Sequence, residues 1–168
     1  MIRKLLSITF LIALPVASAF AQQKPDLTGT WKLNVAKSDF GVLPGPESRT
    51  DVIAHKDPAL SNNVTATSAQ GKQEYTLNYT TDGKEVLNKI GERELRSTLK
   101  WAGTDLAITV KTVYNGADVT GEGTWVLAAD GKTLTISLHY ASPMGETDQK
   151  LIFEKQESAP AAVPAKTP

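Results

Sequence analysis

Apolar and polar residues alternate along most of the chain. Tyr75, Leu77 and Tyr79 are interleaved with Glu74, Thr76, Asn78 and Thr80. Leu95, Ser97, Leu99 and Trp101 oppose Glu94, Arg96, Thr98 and Lys100. Leu106, Ile108 and Val110 form a third face, and Leu134, Ile136, Leu138 and Tyr140 alternate with Thr133, Thr135, Ser137 and His139. A period of two sends successive side chains to opposite faces, which marks strands with one side buried. No segment sustains a helical period. Glycines at 71, 83, 91, 103, 116, 131 and 145 punctuate the strands, mostly 12 to 15 residues apart. Asp82-Gly83, Asn115-Gly116 and Asp130-Gly131 accept the positive φ of tight β-turns.

The pattern predicts about ten strands, over 29–35, 49–56, 62–68, 73–80, 84–90, 93–101, 104–114, 118–128, 132–140 and 146–155. Short links make successive strands antiparallel neighbours. A meander of this length twists, and closing it into a barrel removes its edges. The expected fold is therefore all-β, an antiparallel up-and-down β-barrel of about 8–10 strands. An open sandwich of the same strands is the alternative, but no long connection after residue 56 supplies a Greek-key crossover. Residues 36–48, AKSDFGVLPGPES, break the rhythm. Their Pro and Gly exclude a long helix and leave room for one short turn around Ser38 to Phe40, with Ser38 as its cap.

The two ends differ from the middle. Arg3 and Lys4 precede an apolar run from Leu5 to Val16, then small residues ending Ala19-Phe20-Ala21. This is the order of a secretory signal peptide, and it is shorter than a membrane span. Residues 1–21 are read as a signal peptide, 22–155 as the barrel domain, and 156–168 as a disordered Ala/Pro-rich tail. The expected location is periplasmic or secreted, with no stable membrane anchor after cleavage. The whole chain is formally neutral, with 18 Lys+Arg and 18 Asp+Glu. Without the leader it is slightly acidic, which argues against a nucleic-acid partner. There is no cysteine, so no disulfide, thiolate metal site or cysteine nucleophile is available.

Leu27-Thr28-Gly29-Thr30-Trp31-Lys32-Leu33 and Lys150-Leu151-Ile152-Phe153-Glu154-Lys155 carry a family resemblance. The chain resembles the calycin superfamily, the lipocalins and fatty-acid-binding proteins, which open on a G-x-W strand. It is similar also to secreted bacterial lipocalin-like proteins in its opening, GTWKLNVAKSDFG. The resemblance implies a barrel whose Trp31 packs at a closed base, with a concave, partly apolar interior. The fatty-acid-binding family holds its ligand carboxylate with Arg-x-Tyr on the last strand. Those positions are Leu151 and Phe153 here, and neither can donate a charge-assisted hydrogen bond. The helical pair that lids that family does not fit into residues 36–48.

Candidate chemistry is sparse. Trp101, Trp125, Tyr75, Tyr79, Tyr140, Leu151 and Phe153 are the candidate ligand-binding residues, as cavity walls or as core. Gly121 and Gly123 share the face of Trp125 and would leave room beside its ring. His55 and His139 are the two histidines, and neither has metal-ligand or catalytic spacing. Asp51 and Glu85 stand isolated. Arg93 or Arg96 could serve as an interior anion anchor, although alternation turns Arg96 outward. Asn63-Val64-Thr65 and Asn78-Tyr79-Thr80 are glycosylation sequons. No nucleophile elbow, phosphate loop or dinucleotide fingerprint occurs. These features call for no cofactor, no metal and no enzymatic activity. They point to an exported lipocalin-like protein that binds a small, mostly apolar ligand. The alternative is a structural or interaction module of the cell envelope with a packed interior.

Overall fold

The computed structural model describes residues 24–157. The signal peptide expected over 1–21, and the tail beyond Glu157, lie outside the described residues. Ten strands form one sheet that curls into a nearly closed barrel. They are β1 (Gly29–Leu33), β2 (Ser48–Lys56), β3 (Ala59–Ser68), β4 (Gly71–Thr80), β5 (Asp82–Ile90), β6 (Arg93–Ala102), β7 (Asp105–Tyr114), β8 (Ala117–Leu127), β9 (Thr133–Ser142) and β10 (Gly145–Lys155). The sheet order is β4-β3-β2-β1-β10-β9-β8-β7-β6-β5, and every pairing is antiparallel. The single up-and-down sheet rules out the sandwich. The fold is calycin-like, with ten strands rather than eight.

The G-x-W opening has a physical reason. Trp31 is fully buried and donates its indole N–H to the Leu27 carbonyl at 2.8 Å. The Lys155 ammonium lies 5.2 Å from the centre of that ring, so the lysine stem covers the tryptophan. Gly29 sits two residues before, at φ 147°, where a Cβ would meet Lys155 Cε at 2.6 Å. Glycine is therefore required by its backbone and also leaves space for the lysine. Leu27, Leu99, Leu106, Leu134 and Phe153 are buried to the same degree and fill this base.

The barrel does not close by hydrogen bonds between β4 and β5. Thr81 alone connects them, yet no backbone ladder links them. The Asp82-Gly83 pair, expected to form a hairpin turn, is instead an irregularity inside β5, between Asp82 and Glu85, with Gly83 at φ 84°. That bulge turns β5 away from β4. The Asn88 side chain spans the gap. Its Oδ1 accepts the Asn78 backbone N–H at 2.7 Å, and its Nδ2 donates to the Asn78 carbonyl at 2.8 Å. One amide thus does for Asn78 what a paired strand would have done. Asn115-Gly116 does form the expected tight turn, with φ 50° and 77°.

The β1–β2 connection also differs from expectation. Its helical turn is a 3₁₀ turn over Val35–Lys37, capped by Asn34, whose Oδ1 accepts the Lys37 N–H at 3.1 Å. Ser38 ends the turn rather than starting it, because its hydroxyl is engaged elsewhere. It donates to the Asn34 carbonyl at 2.7 Å and accepts the Ile152 N–H at 3.0 Å. β1 is too short to cover the far half of β10, so this connection continues the pairing. Asp39 and Lys150 exchange two backbone hydrogen bonds of 2.8 Å. Phe40 is then held against the core.

A candidate ligand site inside the barrel

Alternation on β2 sends Arg49, Asp51 and Ile53 inward, and on β3 Leu60, Asn62 and Val64. The register sets Asp51 against Val64 and Ile53 against Asn62. Asp51 and Asn62 are each 2% exposed. Arg49 donates to Asp51 twice, from Nε at 2.7 Å and from Nη2 at 2.8 Å, and Asn62 Nδ2 donates to the same carboxylate at 2.7 Å. The guanidinium carbon lies 5.4 Å from the centre of the Phe153 ring. Burial disfavours the Arg49 charge, but the carboxylate beside it more than compensates and keeps the guanidinium protonated. A charge-bearing cluster therefore sits within the apolar wall, and the pair it contains sums to zero charge.

Three phenols gather around this cluster. Tyr75 and Tyr79 come from β4 and Tyr140 from β9. Burial pushes the Tyr79 hydroxyl well above its ordinary range, and the Arg49 charge partly opposes this. Tyr140 shifts upward for the same reason, opposed by Arg49 and Arg93. Among the described residues, no protein hydrogen bond engages any of the three hydroxyls. Asn62 Oδ1 is buried and without a partner, as are Ser97 Oγ and Trp125 Nε1. Arg49 Nη1 is likewise outside the hydrogen bonds to Asp51. Buried polar groups are normally paired, so the buried atoms without a partner need an explanation, whereas the phenols and Nη1 face the open side.

The interior is uneven along the barrel axis. Toward the base most apolar residues are fully buried, and only Trp101 and Leu127 at its edge are partly exposed among the described residues. Toward the opposite end, which carries the β1–β2, β3–β4, β5–β6, β7–β8 and β9–β10 connections, Phe40, Ala66, Tyr75, Ile90, Leu95 and Leu138 are only partly buried. Arg49 and Tyr140 lie toward this mouth, and Asp51 and Asn62 mark the floor between the halves.

The sequence-derived candidates separate along this axis. Tyr75 and Tyr140 belong to the mouth side. Tyr79 and Trp125 meet edge to face across the barrel, 5.6 Å between ring centres, and both are buried toward the base. Leu151 and Phe153 are core residues of β10. Trp101 is at the base, where its indole N–H donates to Asp57 Oδ1 at 2.7 Å. Thr81 donates to the same oxygen, and Lys24 Nζ reaches Oδ2 at 3.0 Å. The space expected beside Trp125 is absent at the two glycines. At Gly121 a Cβ would stand 2.7 Å from the Tyr140 ring, which lies over the glycine. At Gly123 the Ser137 carbonyl occupies that position.

Apart from Asp51, the remaining candidates lie on the outer face, at the rim or at the base. Asp51 is not isolated, because Arg49 and Asn62 hold it, and Glu85 pairs with Arg96 at 3.3 Å on the outer face. Arg96 faces outward as alternation requires, and Arg93 is exposed at the mouth rim. His139 is an exposed outer residue bonded to Asp148 at 2.8 Å, a contact that raises its pKa. His55 is packed at the base, 5.9 Å from Trp101 between ring centres. Asn63 and Asn78 are exposed on the outer wall. Two shallow outer clefts, of about 380 and 510 Å³, lie along β8–β10 and β2–β4. Neither contains Arg49, Asp51 or Asn62.

Arg49 is the functional candidate that the sequence reading missed. It stands at the predicted start of β2, where an arginine ordinarily marks a solvated strand end. The signal was its parity with Asp51 and Ile53, which puts two charges on an apolar face.

No family model matches the chain, and no curated protein matches its sequence. Solved structures do match in shape. A secretory abundant heat soluble protein of Ramazzottius varieornatus superposes with a TM-score of 0.55 at 13% identity, over 77% of this chain and 94% of its own. Secretory abundant heat soluble protein 4 from the same organism gives 0.53 at 12%, over 81% and 99%. A zebrafish ileal bile acid-binding protein in complex with cholic acid gives 0.49 at 11%, over 77% and 98%. At these identities the likeness of the first two establishes one thing, the calycin-like barrel fold that this chain shares with them.

Proposed function

We propose that this protein is an exported, non-enzymatic binding protein that holds a small, mostly apolar ligand in the mouth-side half of its barrel. The observation that carries the reading is the axial asymmetry of the interior. Most apolar residues of the base are fully buried, with Trp101 and Leu127 partly exposed at its edge, whereas Tyr75, Ile90, Leu95 and Leu138 are half-buried on the mouth side, where Tyr75 and Tyr140 bring hydroxyls that no protein group engages among the described residues. A concave apolar wall with a few convergent polar groups is the usual form of a small-molecule site. Export is supported by the charged start, apolar run and Ala19-Phe20-Ala21 ending of the leader.

The test is native mass spectrometry with a thermal-shift screen of lipids, isoprenoids and pigments. At least one apolar class is expected to bind one molecule per chain and raise Tm. Replacing Leu95 and Leu138 by Phe should fill the mouth and weaken that binding about tenfold or more. If no apolar class shifts Tm, the packed envelope module replaces this reading. Export is checked separately, by N-terminal sequencing of protein recovered from the periplasm or medium. Gln22 is the expected first residue.

A further inference from the structure

We infer that the interior cluster selects an apolar ligand whose head is an uncharged oxygen group, a hydroxyl or carbonyl, and that Asp51 is the residue which rejects a carboxylate head. The inference rests on the proposed binding function and specifies its ligand class.

Arg49 is the cation beside the floor of the site, and two of its donors are committed to Asp51. Asn62 binds the same carboxylate through Nδ2, so Asp51 is fixed in place at 2% exposure. A carboxylate arriving at Arg49 Nη1 would share one guanidinium with a second buried carboxylate. In a poorly solvated interior two like charges at that separation repel strongly, and one guanidinium leaves the set with a net negative charge. Arg93 is the other cation felt at Tyr140, but it is exposed at the rim, where solvent screens it. A neutral oxygen incurs no such penalty. It can accept from Arg49 Nη1, the guanidinium nitrogen not engaged with Asp51, or from a phenol. Tyr75, Tyr79 and Tyr140 each offer both a donor and an acceptor.

The experiment compares 1-dodecanol with dodecanoate at pH 7.5, below their aggregation limits. Both are measured by displacement of an environment-sensitive fluorophore from the full mature chain. The wild type should bind the alcohol about tenfold or more tightly than the acid. Any greasy cavity favours the alcohol to some extent, so the variants carry the distinction. Asp51→Asn keeps the shape and unmasks Arg49. It should tighten dodecanoate about tenfold and leave dodecanol within about threefold. Tyr140→Phe, at a half-buried site that tolerates the change, should weaken dodecanol about fivefold, the loss of one hydrogen bond. The inference is overturned if the wild type binds the acid as tightly as the alcohol, or if Asp51→Asn leaves their ratio unchanged. Should Asp51→Asn not fold, an unchanged dodecanol affinity in Tyr140→Phe overturns it. Failure of both chains to bind, together with a blank lipid screen, would instead overturn the binding function itself.

Discussion

Single residues at the base show how one side chain can hold several elements. Asp57 lies in the β2–β3 turn and receives Trp101 from β6, Thr81 from the β4–β5 link and Lys24 from the segment before β1. The Thr81 and Trp101 hydrogen bonds, followed by Lys24, hold its pKa far below the usual carboxylate value of 3.8. A depressed folded pKa stabilises the fold above the unfolded value and loses that contribution as pH falls through the folded one. Acid titration below about pH 4 should therefore loosen the base before the mouth. Asp57→Asn should flatten that part of the pH–stability curve, as followed by Trp fluorescence. Asp57→Ala at neutral pH should cost about 1–2 kcal/mol, because the Trp101 and Thr81 donors lose their acceptor. The size stays modest because the carboxylate is 40% exposed and its ion pair with Lys24 is solvated.

Residue-scale reading of the sequence had clear limits. Trp31 could be placed at the base from the motif and the tyrosines placed inside from parity. The inward parity of Arg49 was legible too, but not its role, which depends on Asp51 and on Asn62 from another strand.

Elements were the most legible scale. All ten strands appear close to their predicted bounds, because one buried face enforces period two over each span. Connections were less legible. Asp82-Gly83 has the composition of a turn and is a bulge, since Thr81 alone makes the link. This leaves the β4–β5 seam to Asn88. Asn88→Ala should cost about 1–3 kcal/mol, leaving the Asn78 N–H and C=O unpaired, and should speed hydrogen exchange at the Asn78 amide most of all. If that amide exchanges no faster, the side chain is not what holds the seam. β1 carries a second element-scale prediction. Gly29→Ala should cost about 1–3 kcal/mol by denaturant unfolding, because φ 147° suits glycine almost alone. Lys155→Ala should not rescue it. The lysine tail can swing aside, whereas the backbone cannot.

At the scale of the whole molecule, the proposed function puts binding in the half of the barrel opposite the one that carries most of the apolar packing. Leu99 is fully buried at the base, and Leu99→Ala should cost about 2–5 kcal/mol. Leu95 is four residues away on the same face of β6 but only partly buried, and Leu95→Ala should cost about 1 kcal/mol or less. The comparison is made by urea unfolding of both variants. Equal losses would mean the mouth is packed as tightly as the base. The division suits a binding protein, since the half that admits a ligand then need not be the half that holds the fold.

The sequence by itself determined the fold class, the strand spacing and the inward or outward parity of almost every side chain. Those properties follow from local periodicity and turn chemistry, and each is written within a few residues. Only the tertiary structure decided where Arg49, Asp51, Asn62 and three tyrosines come together, because they arrive from β2, β3, β4 and β9. Only it decided that the seam between β4 and β5 is held by a side chain. Parity tells which way a residue points, whereas closure of the barrel determines what it meets there.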